Sequence, residues 1–347
     1  PLMMNVVLSC APREKLGLYL SLGGACITLG PAFGPVISGL MCTLFGWRAV
    51  FVVPLVGGIV VAVAAAKLVR NVGECSNATL DIPSVVLLAA GITAFVYSVG
   101  EFSTNVMAGI VTLFAAVVVF GLFAVRQLKL EHPVLNVRPM ASVRFWPACL
   151  LVVVSMMTTF SMSVLLPLYF EGAYGMTALV AGLLILPAIA CNAVTSIVGG
   201  RVMDARGAWP LLPVGFALIA VGQTAISMTA ASMNIGVVVL LTVVVYAGVG
   251  LVLSPLQTAG LETLPAAEHP HGTALLNTWN MIAASFGPSL FIGLLSSSAV
   301  AAGAAGVASD VAQAIGFAAA VRVAAVIAVV GFAVSLVYAR RESHMSH

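Results

Sequence analysis

The sequence predicts an all-α fold: a polytopic membrane helix bundle of about ten full transmembrane helices. Three observations predict it. The 347 residues are 61% hydrophobic and only 7% charged, with a mean hydropathy of +1.16. Soluble domains run near 45–50% apolar and about 25% charged, so these few charges could not clothe a water-exposed surface. Ten apolar runs reach the length of about 20 residues that a helical crossing needs. Finally, lysine and arginine concentrate in alternate loops.

The runs are Leu16–Phe45, Val50–Leu68, Ile82–Val99, Val106–Val125, Phe145–Phe170, Ala178–Val198, Trp209–Ala231, Ile235–Leu256, Thr273–Ser298 and Phe317–Tyr338. Unbroken apolar runs exclude a membrane β-barrel, whose strands alternate. One set of alternate loops carries Arg13, Lys15, Lys67, Arg70, Arg126, Lys129, Arg138, Arg144, Arg201, Arg206, Arg340 and Arg341, whereas the opposite set carries Arg48 alone. Basic loops stay cytoplasmic. The C-terminal tail is therefore expected in the cytoplasm, and the lipid bilayer is the expected surrounding.

Other function classes fall away. A net charge of +3 gives no basic footprint for nucleic acid. The six cysteines show no C-x-x-C spacing, so neither a disulfide framework nor a zinc site is expected, and His269-Pro270-His271 reads as loop histidines rather than a metal site. Intramembrane catalysis lacks paired aspartates, H-E-x-x-H or a serine–histidine set within the runs. No enzyme is expected.

Within the first run, Ser21, Gly30, Gly34, Pro35, Ser38 and Gly39 form the pattern S-x8-G-x3-G-P-x2-S-G. Gly30, Gly34 and Ser38 are four apart and line one helix face, where another backbone can approach. Pro31 and Pro35 free the carbonyls of Ile27 and Pro31, so the helix can bend. Such a stripe alone is as well explained by ordinary helix packing. A second Gly-Pro, at Gly287-Pro288, lies 253 residues after Gly34-Pro35, and Pro265 follows Pro12 by the same interval. Both runs point from cytoplasm to outside, which makes parallel repeats the expected architecture. A cytoplasmic loop holds Gly200, Asp204, Arg206 and Gly207, its glycines suited to a tight turn, Asp204 to capping the next helix and Arg206 to pairing across the loop.

The whole chain resembles the later part of a major facilitator superfamily transporter of the fourteen-helix drug:proton antiporter family. The first pattern is similar to that family's G-x8-G-x3-G-P-x2-G-G, with serines for two glycines, and the family's usual Trp47-Arg48 follows. The loop resembles the superfamily's G-x-x-x-D-x-x-G, which latches helices in the outward-open state; here Ala208-Trp209 replaces its trailing basic residues. Asn277-Thr278-Trp279-Asn280 resembles the family's N-x-x-R, with Asn280 in the arginine's place.

The resemblance implies that residues 1–75 are the remnant of a first helical bundle, a stump plus two spans. Residues 76–144 would be two inserted spans and a cytoplasmic linker, and 145–347 a second six-helix bundle. Roughly four spans, on the order of 110 residues, would then be missing upstream. It further implies a small-molecule substrate, the proton gradient as energy source, no cofactor, and a cell-membrane location. Asn192, Gln223, Gln257, Asn277 and Asn280, with Thr158, are candidates to line the pathway, since buried amides need partners or a wet cavity. Each could equally bond between helices. No acid sits mid-run, and the family's coupling carboxylates lie in the first bundle. The lone in-run charge, Arg322, is read as snorkelling. Proton-coupled export of amphipathic drugs is the expected function. The rival reading is a remnant that inserts without transporting and associates with another membrane protein.

Overall fold

The computed structural model describes residues 34, 36–68, 81–101, 105–130, 133–207, 211–265 and 268–343, without the side chains of 106, 204–206 and 339–343. The described secondary structure is helical throughout. We number the helices α1 (Val36–Phe45), α2 (Val52–Leu68), α3 (Ile82–Glu101), α4 (Val106–Lys129), α5 (Phe145–Tyr174), α6 (Ala178–Arg206), α7 (Leu211–Thr229), α8 (Ile235–Glu262), α9 (His269–Ala304) and α10 (Ser309–Ser343). Among the described residues nine helices are long and apolar enough to cross a membrane, and α1 is a shorter apolar helix. Nine of the expected runs coincide with one long helix each, in order, and of Leu16–Phe45 only the part from Gly34 onward is among the described residues. Ser21, Gly30 and Pro35 lie outside the described residues.

Several helices outrun their apolar cores. Helix α6 continues from Val198 to Arg206, α8 from Leu256 to Glu262, and α9 begins at His269 rather than Thr273. Apolarity marks where the chain is in hydrocarbon, whereas helical hydrogen bonding continues into the polar layer. Asp204 belongs to the last turn of α6.

The chain divides into two compact units, residues 1–78 with 175–186 and residues 79–174 with 187–347. In the first, Gly46 ends α1 with a positive φ of 83°, and a short 3-10 turn, Trp47–Phe51, leads into α2. There the Arg48 guanidinium sits 4.7 Å above the Trp47 ring.

In the second unit α5 is the axis. It is buried along most of its length and packs on α8, α9 and α10, while α7 packs on both α8 and α10. Backbones meet at glycines along these seams. A side chain at Gly248 would fall 2.5 Å from the Gly215 carbonyl across the α7–α8 seam. This is the small-residue packing by which helices associate where hydrophobicity gives no preference between neighbour and lipid. Apolar side chains such as Val221, Met228, Leu240 and Val326 are exposed on the outer surface, as contact with acyl chains requires.

Helices α3 and α4 form a hairpin beside α9. Asp81 precedes α3, its carboxylate accepting from the Ser84 hydroxyl and its main-chain carbonyl from the Ser84 N–H at 3.1 Å.

Candidate functional site

Five amides were expected to line a pathway, and the structure places each differently. Gln223, on α7, is fully buried. Its Nε2 points at the Thr158 hydroxyl of α5 from 3.5 Å, a long contact, and its Oε1 has no partner. Thr158 itself donates to the Val154 carbonyl at 3.0 Å. One turn before Thr158, Ser155 Oγ is also buried without a partner. Gln223 Oε1 and Ser155 Oγ are thus buried polar atoms that find no partner among the described residues, at a cost of about 1–3 kcal/mol each where no water reaches them.

Asn192, on α6, is half-buried and donates through Nδ2 to the Tyr246 carbonyl of α8 at 3.0 Å. The close approach is made by Gly250, one turn further along α8: a side chain there would overlap the Thr195 hydroxyl and lie 2.5 Å from the Asn192 carbonyl. Tyr246 is nearly fully buried. Its hydroxyl shares a hydrogen bond with Ser163 of α5 at 3.0 Å and donates to the Thr159 carbonyl at 3.3 Å. Tyr246 thus ties α5, α6 and α8 together, and sequence reading missed it. Its signal was present, since a phenol inside an apolar helix must find a partner.

On α9, Asn280 is 8% exposed with an unpartnered Oδ1, and Asn277, one turn away, is half-buried. Both stand two turns or more inside a helix that begins at His269, not at its opening. Gln257 is half-buried on α8. The five amides are spread over four helices, α6 to α9, and the hydrogen bonds of Asn192 and Gln223 run to Tyr246 and Thr158 rather than to one another.

The glycine pattern is described from Gly34 onward. Gly34 is exposed, and a side chain there would meet none of the described residues within 4 Å. Ser38 is half-buried, and Gly39 is buried, with an added Cβ only 2.5 Å from the Ala178 carbonyl in the same unit. Close backbone approach thus falls at Gly39, where α1 abuts the start of α6. In the second copy Gly287 is buried, and its Cβ would stand 2.8 Å from Ser161 Oγ and 3.1 Å from Met157 Cα of α5. Pro288 continues inside α9.

The loop pattern is a helix end. Gly200 is half-buried, and Gly207 closes α6 in the left-handed region at φ 74° with its N–H on the Met203 carbonyl at 2.8 Å, the ordinary glycine C-terminal stop. Just before it, Gly199 lies against the Leu251 carbonyl, at 3.2 Å from an added Cβ. That carbonyl is the one Pro255 cannot satisfy within α8, so the α6 glycine covers a bend-forming position. Arg322 is exposed on α10.

An ion pair was not foreseen. Arg126, near the end of α4, grips Asp81 through Nε and Nη2 at 2.8 and 2.7 Å. The guanidinium, and then the Ser84 hydroxyl, hold the Asp81 carboxyl well below the usual carboxylate range. Gln127, 1% exposed, donates to Ser84 Oγ at 2.6 Å and accepts the Leu135 N–H at 3.1 Å, pinning the loop after α4.

The arrangement offers neutral hydrogen-bonding groups inside an apolar bundle and, among the described residues, no cluster of metal ligands. The Major Facilitator Superfamily profile matches residues 1–288. The chain belongs to that superfamily. Among its relatives is an uncharacterized major facilitator-type transporter, YcnB, of Bacillus subtilis, 32% identical over 96% of this chain and 71% of the relative. The lincomycin resistance protein LmrB of Listeria monocytogenes is 30% identical over 85% of this chain and 64% of its own length. A multidrug resistance protein B homologue of Mycobacterium tuberculosis is 26% identical over 85% of the chain and 56% of its length. The chain thus spans between about half and three quarters of these superfamily members. A bacterial homologue of the human lysosomal transporter Spinster, solved inward-facing and unoccupied, shares the fold at a TM-score of 0.65 and 14% identity, over 97% of this chain and 73% of that one. This is a multi-pass membrane protein of a transporter superfamily.

Proposed function

We propose that the chain belongs to a proton-coupled exporter of amphipathic small molecules in the cell membrane, with its C-terminus in the cytoplasm and no catalytic activity. The observation that carries this reading is the similarity to a protein named for lincomycin resistance across 85% of the chain. A multidrug resistance homologue supports the same substrate class. The site is consistent with it: neutral amides and hydroxyls on α5 to α9 suit polar groups of a largely apolar guest, which needs few fixed contacts. The described acids Asp81, Glu101, Glu171, Glu262, Glu268 and Asp310 are all exposed or half-buried. The proton-carrying carboxylates are therefore assigned to the first bundle, where the antiporter family holds them.

The test uses the protein expressed from its complete reading frame and reconstituted in vesicles. A fluorescent amphipathic cation and lincomycin are followed under an imposed pH gradient. Transport against the substrate gradient that a protonophore abolishes is expected. Transport driven by sodium instead would overturn the coupling, and no movement of either compound would sink export. Orientation is tested separately at Cys75, which lies outside the described residues: an impermeant thiol reagent should reach it in inside-out vesicles and not in intact cells.

A further inference from the structure

The α3–α4 hairpin takes no part in the site above, yet it is built to hold a shape. At one end the Asp81–Arg126 pair and the Ser84–Gln127 hydrogen bond lock the two helices. Further along, buried Gly91 of α3 makes room for the Phe120 ring of α4, which an added Cβ would meet at 3.0 Å. Phe120 in turn stands edge-on to Phe95, centroids 6.4 Å apart at 70°. Phe95 then reaches out of the hairpin and stacks on Phe286 of α9, centroids 4.9 Å apart and planes 27° apart.

The point of contact matters. Phe286 directly precedes Gly287-Pro288, where α9 presses its backbone on Met157 and Ser161 of α5. Pro288 cannot bond the Ala284 carbonyl, so α9 is intrinsically deformable at this level. A ring stacked on α9 here, and itself wedged by Phe120, resists sliding of α3 along α9, unlike a smooth seam of small residues.

We propose that the α3–α4 hairpin moves with α9 as one body during transport, and that Phe95 is a positioning residue holding the Gly287-Pro288 segment against α5. The proposal rests on the transport reading. Phe95 touches no substrate on this account. It acts through α9, so its loss lowers the rate of the conformational step and not the affinity.

The experiment uses the full-length protein with native cysteines replaced and F95C/F286C introduced, joined by a short ethylene-bridged bis-methanethiosulfonate. The expected result is a linking yield that is the same with and without substrate and pH gradient, and a linked protein that keeps most of the export rate of its unlinked parent. A yield that changes with the gradient, or export that stops on linking, overturns the proposal. If the unlinked parent exports nothing while the wild type does likewise, the transport reading fails, and the yield still decides whether hairpin and α9 stay together. In parallel, Phe95→Ala should lower the maximal rate about five-fold or more with KM nearly unchanged, and Phe95→Leu should restore most of it. An unchanged rate, or a raised KM, refutes the positioning role.

Discussion

Gly34 and Gly287 share a Gly-Pro dipeptide, a helical setting and a spacing of 253 residues, yet a side chain meets none of the described residues at the first and a packed helix at the second. Around Gly34 none of the described residues lies within 4 Å of an added Cβ, while the buried approach comes five residues later, where Gly39 faces the Ala178 carbonyl. Around Gly287 both a backbone carbon and a hydroxyl of α5 are within 3.1 Å of an added Cβ. A small residue in a membrane helix is a permission for close approach, and the neighbour decides whether it is used.

The largest effect should come from Gly287→Leu. The new branched side chain must displace the Met157 backbone, and overpacking of this kind costs about 1–3 kcal/mol. Thermal unfolding in detergent should begin several degrees lower, and export should be lost. A leucine accepted there without a change in melting would show that the α5–α9 seam is loose.

Gly39→Ala should come next. A single methyl collides with the main chain at Ala178, which cannot turn aside as a side chain can. Membrane abundance should stay near wild type while export falls severalfold, read as initial rate per molecule. Export at the wild-type rate would remove Gly39 as the contact point of α1.

The smallest effect is expected at Gly34→Ala. With none of the described residues against it, the substitution brings only the helix propensity gained over glycine, up to about 1 kcal/mol, so melting should be unchanged or slightly raised and export unaffected. Export impaired as badly as by Gly39→Ala would erase the contrast between the two copies.

Much of the fold was legible because hydrocarbon imposes length. Nine of the ten expected runs became long helices, and the ends that were misplaced, at Arg206, Glu262 and His269, are polar turns that apolarity does not count. The candidate site was legible only as residue types. Gln223, Asn192 and Asn280 stand out as amides in apolar runs, but which face of a helix looks inward is not encoded by polarity when both the protein interior and the lipid are oily. For the same reason the Phe95–Phe286 stack had no signature: one phenylalanine in an apolar helix reads like any other. The Asp81–Arg126 pair did have one, an acid opening one run and a base closing the next on the same side.

The locked hairpin has a consequence for how the chain enters the membrane. Its partners are close in sequence, 45 residues apart for Asp81 with Arg126 and 43 for Ser84 with Gln127. They can pair once α4 has entered the bilayer, without waiting for α9. A ready-made two-helix unit would then await α9, and the late-made helix would dock on an early-made surface. Assembly order is in this way written into an ion pair at one end of a hairpin and an aromatic ring near the other.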